Sequence, residues 1–82
     1  MNKNLLVQEV QNYIPSCQVI VESDDDIHFD MIVVSADFEG LMPIKRQRLV
    51  YDAVDKWILD GTLHALGLKT YTPEEWQKKN QS

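Results

Sequence analysis

Apolar residues first recur at helical intervals. Leu6, Val10, Tyr13 and Ile14 share one side of a helix spanning Asn4 to Ile14, and Pro15-Ser16 ends the series. Cys17 to Glu22 then alternates as a strand does, with Cys17, Val19 and Val21 on one side and Gln18, Ile20 and Glu22 on the other. Ser23-Asp24-Asp25-Asp26 is a turn signal, so the strand from about His28 to Ser35 returns as the second arm of a hairpin. The β-branched run Ile32-Val33-Val34 suits a central strand. From Pro43 to Asp60 helical spacing resumes: Val50, Ala53, Val54, Trp57 and Ile58 form a wide apolar face, the length leaves room for a break, and Gly61 is placed to end the helix left-handed. A third strand follows from roughly His64 to Tyr71, then a final helix from Pro73 that fades into a polar tail over 78–82.

The start of that last helix can be read residue by residue. Thr72 is a suitable N-cap, Pro73 fits the first helical position because its missing N–H is not needed there, and Glu75 stands where a capping box requires its reciprocal acceptor. The order helix, strand, strand, helix, strand, helix predicts an α+β fold with helices on one face of a three-stranded sheet. The third strand should join at an edge, in parallel with one arm of the hairpin, because a long helical crossover precedes it.

Composition narrows this picture. Eighty-two residues with 44% hydrophobic content make one domain over 1–82 with one small core. A net charge of −5 argues against generic affinity for nucleic acid or anionic membranes, both of which respond to a summed positive field. No stretch approaches the roughly 18 apolar residues of a membrane span, and the N-terminus lacks the basic-then-apolar layout of a signal peptide, so a cytoplasmic location is expected. Cys17 is the single cysteine, which excludes an intrachain disulfide, and one cysteine with two histidines cannot close a four-ligand zinc site unaided.

Few residues carry chemistry. His64 has two readings: a ring packed beside Leu66 and Leu68, the commoner fate of a lone histidine, or a ring nitrogen turned outward into a shallow groove, where neutral imidazole ligates metals. Three adjacent aspartates at positions 24–26 lack the spacing and glycine of a calcium loop and read as a solvated turn. Lys45, Arg46 and Arg48 cluster in the first turns of the main helix, where the macrodipole disfavours cations. Solubility and a patch for phosphate, glutathione or an acidic partner face are both open readings. Trp57, Trp76 and Tyr71 read as packing residues. No nucleophile with its base, phosphate-cradling glycine loop or paired-carboxylate cleft is recognisable, and no enzyme is expected.

His64-Ala65-Leu66 followed by Lys69-Thr70-Tyr71-Thr72-Pro73-Glu74-Glu75-Trp76 resembles the C-terminal signature of the BolA family. Upstream, Val33-Val34-Ser35-Ala36-Asp37-Phe38-Glu39-Gly40 and Arg48-Leu49-Val50-Tyr51 are similar to that family's second strand, turn and long helix. The resemblance implies a BolA-like fold akin to the type II KH domain. It also implies an adaptor for a monothiol glutaredoxin, monomeric or weakly dimeric alone, with His64 matching the histidine that ligates a shared [2Fe–2S] cluster. Glutaredoxin and glutathione would supply thiolates opposite imidazole, a mixed site of the Rieske kind with a raised reduction potential.

The family's second ligand comes from the loop between the first two strands, which here holds Asp24, Asp25 and Asp26. His28 is the nearest candidate, and Cys17 reads as a small buried hydrophobe. Where family members often carry a histidine between two arginines, Gln47 stands, which is similar to the acid-stress subgroup. The alternative is a KH-like DNA- or RNA-binding regulator gripping phosphates through Lys45, Arg46, Arg48 and Lys69, although the Gly-x-x-Gly loop of a KH grip is absent.

Overall fold

The computed structural model describes residues 1–80 as α1 (Lys3–Tyr13), β1 (Gln18–Glu22), β2 (His28–Val34), a 3-10 turn (Ala36–Phe38), α2 (Pro43–Leu59), β3 (Ala65–Tyr71) and α3 (Pro73–Asn80). The sheet order is β1-β2-β3, with β1 antiparallel and β3 parallel to the central β2. This is the expected α+β architecture.

The first helix begins one residue earlier than periodicity suggests. Asn2 caps it, its Oδ1 accepting from the Asn4 N–H at 2.7 Å. Leu6, Val10 and Ile14 are buried, whereas Tyr13, expected on the same face, is half exposed. The main helix is unbroken over its 17 residues, starts on Pro43 and ends where Gly61 takes φ +82°, as its placement predicted.

One face of the sheet makes the core. Phe29, Met31 and Val33 of β2 lie beneath Leu6, Val10 and Ile14 of α1 and Val50, Ala53 and Val54 of α2, with Phe38 and Leu63 sealing the ends. A bond of 3.2 Å between Lys56 Nζ and Glu9 Oε2 joins the two helices at the surface. Because side chains alternate along strands, Ile20, Glu22, His28, Asp30, Ile32 and Lys69 stand on the other face, which α1 and α2 leave open.

The capping box forms as read. The Thr72 N–H donates to Glu75 Oε1 at 2.9 Å and the Glu75 N–H donates to Thr72 Oγ1 at 3.2 Å. The same Glu75 oxygen accepts from Arg46 Nη1 at 2.7 Å, fastening the start of α2 to the start of α3. The last helix reaches further than expected, through Asn80, so residues 78–80 of the anticipated tail are helical; positions 81 and 82 lie outside the described residues. Lys78 pairs with Glu74 at 3.2 Å, and Lys79 Nζ stands 5.7 Å from the centre of the Tyr71 ring, which itself meets Trp76 with centroids 5.4 Å apart. Tyr71 and Trp76 therefore pack as the sequence suggested.

Thr72→Ala should cost about 1 kcal/mol in urea denaturation, the usual loss for removing an N-cap oxygen. The Arg46 guanidinium and the Thr72 N–H hold the Glu75 carboxyl below the usual glutamate range. Its contribution is therefore complete above the unfolded-state value and is lost as pH falls through the lower folded-state value. Glu75→Gln should flatten that acid limb when stability is followed against pH.

Candidate functional site

The hairpin tip is organised by one carboxylate. Asp25 Oδ1 accepts the backbone N–H groups of Ile27 and His28, each at 2.9 Å, while Asp25 Oδ2 lies 2.8 Å from His28 Nδ1. Ser23 closes the other side: its hydroxyl donates to the His28 carbonyl at 2.6 Å and accepts the Asp26 N–H at 3.0 Å. Asp26 completes the turn at φ +57°, a left-handed conformation that aspartate tolerates better than most residues.

The His28 ring, followed by the two backbone donors, pulls the Asp25 carboxyl well below the usual aspartate range. Asp25 is consequently ionised at neutral pH and can only accept, so His28 Nδ1 carries the shared proton. Unless the ring is doubly protonated, the free lone pair is on Nε2. The aspartate run is thus more than the solvated turn of the sequence reading, since its middle member orients a histidine.

The parallel register brings the second histidine alongside. His28 opens β2 and pairs with Ala65, the first residue of β3, so His64 immediately precedes His28's register partner. His64 is exposed, and its ring takes part in no hydrogen bond or ion pair among the described residues. Leu63 goes into the core in its stead, with its N–H on the Trp57 carbonyl at 2.9 Å. His64 is therefore exposed, as the outward reading expects, and is not packed in the core.

Next to His28 a cleft of about 190 Å³ is walled by Glu22, Ser23, Asp24, Asp25 and Asp30. The Asp30 carboxylate leans over Gly67, where a side chain would collide with it. Among the described residues no three histidine, cysteine or acidic side chains form a metal-holding group.

The remaining candidates lie apart. Cys17 precedes Gln18, which pairs with Val34 at the end of the sheet remote from His28, and burial pushes its thiol pKa up, as for an inert core cysteine. Arg46 is largely covered, its Nε donating to the Leu41 carbonyl at 2.9 Å besides its bond to Glu75. That bonding accounts for this cation at the unfavourable end of α2. Lys45 and Arg48 are exposed on α2, whereas Lys69 stands on the open sheet face opposite that helix. The four cations do not form one patch.

Replacing His28 with Ala should raise the Asp25 pKa towards the ordinary aspartate value. Carboxyl-carbon NMR shifts followed through an acid titration would register the change. The loop's stabilisation by this carboxylate is present above the unfolded-state pKa and lost as pH falls through the depressed folded-state value.

Comparison with known proteins gives a consistent set of likenesses. The family model described as BolA-like protein matches residues 6–75. The acid stress protein IbaG of Escherichia coli (strain K12) is 36% identical over 76 residues, covering 93% of this chain and 90% of that protein. The DNA-binding transcriptional regulator BolA of Haemophilus influenzae is 36% identical over 55 residues, 67% of this chain and 52% of that one. A solved bolA protein homologue from Coxiella burnetii superposes with a TM-score of 0.80 at 35% identity, over 94% of this chain and 97% of that one.

Proposed function

From the premise that this chain belongs to the BolA-like family, we propose a non-enzymatic cytoplasmic adaptor that docks on a monothiol glutaredoxin and contributes imidazoles from His64 and His28 to a shared [2Fe–2S] cluster. The observation that supports this reading is the start of the parallel β2–β3 pair, where His28 is oriented by Asp25 and His64 stands one residue before the facing position. A carboxylate accepting from the far nitrogen of a ligating histidine is the usual means of fixing its ring and tautomer.

The donor set fits one half of such a group. Two imidazoles on one iron are the Rieske pattern, and the other iron would take thiolates from the partner and glutathione. When bound, the cluster supplies one-electron chemistry and transferable iron and sulfide. The protein's own part is to present two ring nitrogens from the start of the β2–β3 pair, with Leu63 and Phe29 anchoring the flanking backbone in the core. Asp24, Asp25 and Asp30 add local negative charge, which favours a cationic docking surface on the partner. The similarity to an acid stress protein supports a role in the stress response, and a part in iron–sulfur homeostasis follows from the cluster reading itself.

The alternative regulator reading draws on the similarity to the DNA-binding transcriptional regulator of Haemophilus influenzae. Its weakness is geometric: Arg46 is engaged and Lys69 faces away from Lys45 and Arg48, so the phosphate contacts would not converge.

Mixing the protein with a monothiol glutaredoxin, iron, sulfide and glutathione should give a heterodimer whose visible spectrum differs from that of the glutaredoxin homodimer. His64→Ala and His28→Ala should each alter that spectrum, and Asp25→Ala should weaken cluster retention against a chelator by about 10–100-fold. An unchanged spectrum in His64→Ala refutes the ligand assignment. A heterodimer without iron would leave a bare interaction domain.

A further inference from the structure

Along α2, away from the core-facing residues Val50, Ala53 and Val54, a second stripe remains unfilled. Ile44, Gln47, Arg48 and Tyr51, spaced by threes and fours, line a groove of about 240 Å³. Ile44 in this groove is 67% exposed, and Met42, two residues before it, is 68% exposed, so two large apolar side chains lie open close together in sequence. Tyr51 connects this stripe to the sheet, since its hydroxyl donates to the Leu66 carbonyl at 3.4 Å. β3 is an edge strand, so beyond it no further strand is paired among the described residues.

The charges flanking the groove run against those of the rest of the chain. Lys45 and Arg48 form no ion pair among the described residues and occupy the helix end least favourable to cations, in a protein of net charge −5. Unlike Arg46, neither contributes a bond that holds the fold.

We propose that this edge is a docking site for an extended acidic peptide segment of a partner protein. Its backbone would run beside β3, an apolar side chain would enter between Ile44 and Tyr51, and carboxylates would meet Lys45 and Arg48. Charge complementarity selects an acidic occupant, and the exposed Met42 and Ile44 select protein over nucleic acid, for which a pair of cations gives little phosphate neutralisation. The site is independent of the proposed cluster ligands, since His64 precedes β3 and does not line the groove.

The test is selection of phage-displayed random peptides on the immobilised full chain, followed by amide NMR with the enriched sequences made as synthetic peptides. The expected winners are acidic with an aliphatic or aromatic residue. They shift resonances in Ile44–Tyr51 and Leu66–Thr70, bind about tenfold more weakly to Arg48→Glu and lose binding to Ile44→Asp. They bind His64→Ala as tightly as the parent, which separates this proposal from the cluster reading. No enrichment, winners without acidic residues, shifts confined to another surface, or a DNA duplex that displaces the peptides with a steep salt dependence would each overturn it.

Discussion

The pairing register of β2 with β3 is the constraint on which everything else rests. Phe29 faces the core opposite Leu66, and Met31 opposite Leu68, with α1 and α2 packed over them. A slip of one residue would turn Phe29, Met31 and Val33 out to the open face and bring His28, Asp30 and Ile32 beneath the helices. Each large apolar side chain so exposed costs about 1.5–3 kcal/mol, before the burial of an aspartate and a histidine is added. Hydrophobic burial, rather than any interaction between the histidines, therefore determines that His28 and His64 are neighbours at the start of the pair.

That origin explains what could be read from the chain in advance. The hairpin, the central β2, the left-handed Gly61 and the Thr72–Glu75 box follow from local chemistry, where turn residues and caps act within a few positions of one another. The family resemblance singles out His64, and the long helical crossover before the third strand predicts its parallel place at an edge. The partner choice and register of that strand depend on core packing across 36 intervening residues, counted from His28 to Ala65, and no local pattern reports it. The Asn2 cap sets the start of α1 one residue before the stretch that the apolar series beginning at Leu6 delimits. The final helix outlasts its polar composition because Lys78 and Lys79 find Glu74 and the Tyr71 ring, the second of these a tertiary contact.

The same distinction applies to the basic residues. In sequence Lys45, Arg46 and Arg48 form one cluster, with Lys69 as an outlier, and helix-dipole reasoning identifies all three helical cations as misplaced. Folding separates them. Arg46 turns inward to the Leu41 carbonyl and shares a Glu75 oxygen with the cap of α3, so one guanidinium couples two helix starts that are distant in sequence. Lys45 and Arg48 remain outward beside Ile44, and only for these does the dipole argument still require an explanation beyond the fold.

The hairpin tip shows why an exposed carboxylate is employed so fully. Asp25 and His28 are both well exposed, at 45% and 67% of their side chains, and ion pairs in such surroundings contribute little to stability because water screens them. Yet Asp25 places one oxygen on two backbone N–H groups and the other on a ring nitrogen, an arrangement more specific than a turn needs. What the arrangement does is restrict the ring: an ionised carboxylate can accept only from Nδ1–H, so the neutral imidazole must present the lone pair of Nε2. One carboxylate therefore does two things at this tip: it caps the turn through two backbone N–H groups, and it fixes the direction and tautomer of the neighbouring ring.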